Sequence, residues 1–317
     1  MFAKNTLVAA AALALSVAAQ AQSNVTVYGN VDAAFGTFES DLTHRVTKVE
    51  SSVLTGSFLG FKGQEDLGGG TKVFFKLENA IGVDTGATAT GNFWGRTSEI
   101  GLAGAYGTVT AGNSLSLSGL ANQAQSPFNL YGMLNGLQAV TGAAGFDWHQ
   151  TNTLTYTSQT YAGFSGAAQY GTSETHGVDN QYAVQANYAV GPLAAGLTYT
   201  NNDSTNDKLT QVGGSYDFGV VKGFAQIGRA DLASKDDVSY FGLGVSAPVT
   251  AAGTVLASWT HAKQDNVGKT DDLSVAYDHA MSKRTGAYGA VVYQQFKPQG
   301  GDSKSGLSLA VGLRHAF

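Results

Sequence analysis

The chain contains no cysteine, only 4 prolines and only 13% charged residues. Without cysteine there is no disulfide scaffold, no thiolate-ligated zinc, no iron–sulfur cluster and no thiol nucleophile. Scarce proline, with no Gly-x-y period, excludes collagen and Pro-rich linkers. Charge is about half the roughly 25% of ordinary soluble domains. The 14 Tyr and 16 Phe exclude an acidic disordered chain, which would be poor in aromatics. A formal net charge of -5 without any Lys/Arg run argues against nucleic acid as a partner. Beyond residue 21 no apolar run approaches the roughly 20 residues that a membrane-crossing helix needs.

Residues 1–21 form a separate unit. Lys4 is the only charge before Asp32, an apolar stretch of Leu, Val and Ala follows, and Ala19-Gln20-Ala21 offers small residues two apart. A basic start, a short apolar run and an A-x-A site are expected of a secretory signal peptide. The expected mature protein is 22–317, a single unit.

In that unit glycine is plentiful, 42 of 317 residues in the whole chain, and the recurring pattern is alternation. From 306 to 317 the odd positions are Leu307, Leu309, Val311, Leu313, His315 and Phe317, while the even ones are small or polar. Val25, Val27, Val31 and Phe35 alternate with Thr26, Tyr28, Asn30 and Asp32; Val73, Phe75 and Leu77 alternate with Lys72, Lys76 and Glu78. Period two marks strands with two different environments. A soluble sandwich also alternates, but it covers its outer face with Lys and Glu. Here the polar face is mostly Gly, Ala, Ser, Thr, Asn and Gln. Such strands suit a wall with lipid on one side and water on the other, and the Tyr and Phe suit aromatic girdles.

Turn signals alternate short and long. Seven short connections and eight longer ones, including 36–54, 83–92, 114–150, 201–208, 265–270 and 297–305, separate sixteen strand candidates. The fold class expected is therefore all-β: a transmembrane antiparallel up-and-down barrel of sixteen strands with short periplasmic turns. Only a closed barrel spares strands an unpaired edge in hydrocarbon. A sixteen-stranded barrel holds an aqueous channel, whereas eight strands fill their interior with side chains. The segment 114–150 carries Leu115, Leu117, Phe128, Tyr131, Phe146 and Trp148 without any Lys or Arg. A long loop this apolar must pack on something: folding it into the barrel to constrict the channel is the expectation, with Phe128, Tyr131, Phe146, Asp147 and Trp148 as the constricting residues, and an outer cap or trimer-contact segment is the alternative.

Six segments carry a family resemblance. SFLGFKGQEDLGGGTKVFFK (57–76), FWGRTSEIGLAGAYGTVTAGN (93–113), NTLTYTSQTYAGFSGAAQYG (152–171), YDHAMSKRTGAYG (277–289), the ending VGLRHAF (311–317) and the opening VTVYGNVDAAF resemble the general porins of β-proteobacterial outer membranes. The resemblance implies a homotrimer of sixteen-stranded barrels in the bacterial outer membrane among lipid and lipopolysaccharide. It further implies passive diffusion of small solutes and ions, a third loop inside each lumen, and a terminal Phe317 that signals barrel assembly.

The departures from the family pattern concern charge. Phe58, Asn113 and Thr155 stand where the pattern has Arg, while Arg96 is kept. Parity places Phe58, Lys62, Lys76, Arg96 and Arg314 on the lumen side, against Asp32, Asp66, Glu78, Asp217 and Asp278, and puts Glu99 outside. Unit charges 4 Å apart interact by ~4 kcal/mol at an effective dielectric near 20, so losing arginines removes most of an anion preference. A lumen less basic than usual for the family, with weak ion selectivity, is expected. The six His show no metal-ligand spacing and no G-x-S-x-G occurs, so neither a metal, another cofactor nor a catalytic group is expected. A receptor or adhesin barrel and a barrel-wall hydrolase are the alternatives.

Overall fold

A computed structural model describes residues 24–40, 44–89, 91–128, 132–174 and 180–317. The segment 1–21 and Tyr131 lie outside them. The strands are β1 (Asn24–Phe38), β2 (Val46–Ser51), β3 (Phe58–Gly68), β4 (Thr71–Ala80), β5 (Thr97–Gly104) and β6 (Gly107–Leu115). Two helices follow, α1 (Leu117–Ala124) and α2 (Gly136–Ala143). The chain continues through β7 (His149–Thr157), β8 (Phe164–Gly171), β9 (Gln181–Val190), β10 (Leu193–Asn202), β11 (Asp207–Asp217) and β12 (Lys222–Asp231). It ends with β13 (Val238–Pro248), β14 (Gly253–Gln264), β15 (Gly268–Ala280), β16 (Thr285–Pro298) and β17 (Lys304–Ala316).

Each strand pairs antiparallel with its neighbours, and β1 pairs with β17, from Asn30 opposite Ala316 to Thr37 opposite Leu309, so the sheet closes. On its other side β1 meets two strands: Phe38 stands opposite Val46 of β2, and Asn30 opposite Phe58 of β3. β2 and β3 are thus one stave broken at residues 52–57, and the closed barrel has sixteen staves. This corrects the expectation of one loop over 36–54, because β1 runs on to Phe38 and 46–51 is wall. The connections expected at 201–208 and 265–270 shrink to tight turns, since β10 and β11 extend to Asn202 and Asp207, and β14 and β15 to Gln264 and Gly268.

Burial is inverted relative to a water-soluble protein. Val311 is 65% exposed and Ile227 62%, whereas Ser274 is 0% and Gln211 1% exposed. A face of bare aliphatics outside and polar groups inside is stable only where the outside solvent is hydrocarbon. The apolar rows face outward around the ring and do not interlock with one another.

The break in the second stave has a local cause. Ser52 takes a positive φ of 62° and turns the chain off the wall. Asp32 then holds residues 52–57 as a strap: its carboxylate accepts from the Leu54 amide (3.2 Å), the Thr55 amide (2.6 Å) and the Thr55 hydroxyl (3.0 Å). Its backbone carbonyl accepts from the Ser52 amide and the Ser57 hydroxyl. Apolar packing is confined to the side of the wall away from the exposed aliphatics. Val53 and Leu54 of the strap and Phe128 and Leu134 of the long connection form one cluster with Phe38, Tyr288 and Val292. Leu137 and Phe146 form a second with Leu209, Val238 and Tyr240.

Candidate functional site on the inner face

Cross-strand register fixes which residues share a face. Asn30, Phe58 and Ala80 lie side by side, as do Tyr28, Gly60, Glu78 and Thr97, and then Thr26, Lys62, Lys76 and Glu99. All three rows lie on the same side of the wall as Asp32. In the first two rows the side chains converge. The Arg96 Nε donates to a Glu78 oxygen at 2.8 Å, and both side chains are about nine-tenths buried. The Arg96 guanidinium covers the Phe58 ring at 4.3 Å from its centroid, and the Tyr28 and Phe58 rings stand in a T-shaped pair with centroids 5.6 Å apart. The Tyr28 hydroxyl donates to the other Glu78 oxygen at 2.6 Å. One carboxylate, one guanidinium and two aromatic rings are thus brought together, with the Arg charge set directly beside an opposite charge.

In the third row the Lys76 ammonium lies 3.1 Å from Glu99, and the Lys62 ammonium sits 4.5 Å from the Tyr28 ring centroid. Glu99 is therefore on the inner side, which corrects its expected outward parity. Arg96 precedes β5 and does not share its alternation; Ile100 and Leu102, both exposed, are the outward residues of that strand.

Other expected residues are distributed along the wall. Asn113 lies at a bulge where Gly112 has φ 135°, and its side-chain amide donates to the Gly95 carbonyl at 2.9 Å. Thr155 accepts from Gln169 at 3.1 Å, and Gln169 also donates to the Leu115 carbonyl, so Thr155 braces the root of the long connection. Arg314 forms a two-point ion pair with Asp278, at 2.6 and 3.2 Å. A cavity of about 500 Å³ brings Arg96, Asn113, Asp147 and Trp148 together with Ser52 and His149. Phe58, Lys62, Lys76, Thr155 and Arg314 lie outside it.

The long connection is held at several points. Ser116 caps α1 by accepting from the Gly119 amide. Asn122 on α1 accepts from Gln211 at 2.8 Å, and Gln125 accepts from Gln226 at 2.6 Å. Phe128 and Phe146 are spent in the two apolar clusters. Asp147 is exposed and its carboxylate accepts from the Trp148 amide at 2.6 Å, while Trp148 stacks on His149. At the chain end Phe317 exchanges backbone hydrogen bonds with Gly29 at 3.1 and 3.2 Å.

Sequence reasoning misses Glu99, Tyr28 and Tyr288 as partners of the inner charges, and the tethering role of Asp32. Counting alternation from Ile100 and Leu102 finds Glu99; nothing local marks the other three.

Comparison with known proteins adds independent findings. A family model described as Gram-negative porin matches residues 7–299. Outer membrane porin protein 32 of Delftia acidovorans is 30% identical, over 99% of this chain and 100% of that protein. Major outer membrane protein P.IB of Neisseria lactamica is also 30% identical, over 99% of this chain and 100% of its own. The solved structure of an anion-selective porin from Comamonas acidovorans has 25% identity and a TM-score of 0.76, covering 93% of this chain and 100% of that one.

Proposed function

The chain belongs to the Gram-negative porin family, and from that premise we propose that it passes small hydrophilic solutes passively across the outer membrane with weak ion selectivity. Porins are channels, and the protein is an outer-membrane channel rather than an enzyme. Residues 1–21 direct export and are removed, 22–317 form the barrel, and three copies associate among outer-membrane lipid. The connection 116–148 narrows the passage, a reading supported by its bonds to Gln211 and Gln226 on the polar side of the wall.

One observation carries the selectivity: Arg96, Lys76 and Arg314 each lie within 3.1 Å of a carboxylate, on Glu78, Glu99 and Asp278 respectively. A guanidinium paired at source offers a passing anion little net field, because its partner attracts the cation as strongly. With Phe58, Asn113 and Thr155 at positions the family pattern gives to Arg, the eyelet suits neutral or partly apolar solutes along Phe58 and Trp148.

Reversal potentials in planar bilayers under a KCl gradient test the reading, alongside sugar-driven swelling of liposomes. Near-equal K⁺ and Cl⁻ permeability with measurable sugar entry is expected. A strong chloride preference, such as the words anion-selective ascribe to the Comamonas relative, would overturn it.

A further inference from the structure

Three lysines stand in one row on the outer surface. Lys263 of β14 is the direct cross-strand partner of Lys269 of β15, and Lys269 is the direct partner of Lys297 of β16. Directly opposed residues share a face, and all three side chains are exposed. Like charges so placed are destabilising, and here the unfavourable pairing occurs twice in succession.

Acidic groups around the row offset only one of its three charges. Asp265 binds Lys263 at 2.7 Å. Asp271, one row lower, is engaged by the Trp259 indole at 3.0 Å and by His261 at 2.9 Å. Among the described residues, Lys269 and Lys297 have no carboxylate within ion-pair distance.

The position of the row suggests what does offset it. Below it on the same face run His261, Asp271 and Gln295, then Trp259, Leu273 and Tyr293, then Ala257, Val275 and Val291, then Val255, Tyr277 and Gly289. His279 lies ten steps along β15 from Lys269. At about 3.3 Å per residue and a tilt near 45°, that is roughly 23 Å along the membrane normal, close to the height of the apolar band of such barrels. The lysines therefore cap the hydrocarbon belt just above an aromatic girdle, at headgroup depth. They lie on the side of the 116–148 connection, which in outer-membrane barrels is the external side. A cavity of about 600 Å³ opens beside them, lined by all three together with Asp265, Asn266 and Pro298.

We propose that Lys263, Lys269 and Lys297 bind the phosphate of an outer-leaflet lipid headgroup whose acyl chains lie along Trp259, Leu273 and Val291. Lysine clusters at a bilayer surface attract anionic headgroups, and the apolar face that begins two rows beneath favours a phosphate that carries chains over one free in solution.

The full-length protein, refolded in detergent, is incubated with bisphosphorylated lipid A, with the same lipid after phosphate removal, or with inorganic phosphate alone, and bound ligand is read by native mass spectrometry. Lipid A is expected to be retained and its dephosphorylated form not. In the variant carrying K263Q, K269Q and K297Q, retention should fall about a hundredfold, roughly a factor of five for each lysine. Lys235→Gln, exposed on another connection, should leave retention unchanged. Heat-modifiable gel migration and channel conductance confirm that each variant is folded, and Lys269→Gln alone serves if the triple variant is not. Equal retention by the triple variant, an equal loss with Lys235→Gln, or inorganic phosphate binding as tightly as lipid A would each overturn the proposal.

Discussion

Tyr288 donates a 2.5 Å hydrogen bond to Asp32, tying β16 to β1 at the point where the strap 52–57 is anchored. Both residues are almost fully buried, and the other carboxylate oxygen holds Leu54 and Thr55. Removing the hydroxyl in Tyr288→Phe leaves a buried carboxylate one donor short. A hydrogen bond to a charged group contributes roughly 1.5–3 kcal/mol, so the unfolding midpoint should fall accordingly. Asp32→Asn replaces one acceptor oxygen by a donor that faces other donors and should free the strap. Noisier single-channel current is expected, and unchanged current with an unchanged midpoint would show that the strap does not depend on this tether.

The Glu78–Arg96 pair makes a directional prediction. Glu78→Gln removes the carboxylate charge beside the Arg96 guanidinium, so reversal potentials should move toward anions. Phe58→Arg should move them the same way by adding a second cation beside the first. Losing one partner of a buried pair costs roughly 3–5 kcal/mol, so folded yield after Glu78→Gln should fall while Phe58→Arg is milder. Selectivity unchanged in both variants would place the cluster away from the ion path.

Leu134 is 0% exposed and packs with Phe128 and the strap residues Val53 and Leu54. Truncation to Ala removes buried methyl groups and opens a cavity, at a cost of roughly 2–5 kcal/mol. The loss falls on the attachment of the long connection and not on the ladder of the barrel. Leu134→Ala should therefore raise or destabilise single-channel conductance while the barrel stays resistant to denaturant. A fall in barrel resistance with steady conductance would contradict that division.

The wall is legible from residues alone because lipid and water impose opposite demands on alternate positions. Val25, Val27 and Phe35 on one face and Asp32 on the other announce the period, and the lengths of the turns announce the meander. Legibility ends where the polypeptide leaves the wall. The strand 46–51 reads as loop because its alternating residues include Thr47, Lys48 and Glu50 and it continues the pairing of β1 for only six positions. Glu99 is misplaced when parity is counted from Arg96, which stands before the strand begins. The tether from Asp32 to Tyr288 spans nearly the whole chain, and no local pattern encodes a contact of that separation. Phe128 and Phe146 signal their need for burial, but which side of the wall receives them depends on Gln211 and Gln226 far along the sequence.

Phe317 offers a test that separates two roles. Its backbone exchanges hydrogen bonds with Gly29, and its ring lies over Gly29, where an added Cβ would meet the ring 2.5 Å away. If the residue only closes the seam between β1 and β17, deleting it should lower folded yield equally in detergent refolding and in cells. If it also signals assembly, yield in cells should fall much further than yield in detergent. Gly29→Val separates the two from the other side: its side chain would meet both the Phe317 ring and the Phe58 carbonyl at 2.5 Å, which disturbs the seam while leaving the terminal residue in place. Refolding in detergent should suffer in this variant as it does on deletion, whereas assembly in cells should fall less than on deletion. Equal losses for both variants in both settings would reduce Phe317 to a seam residue.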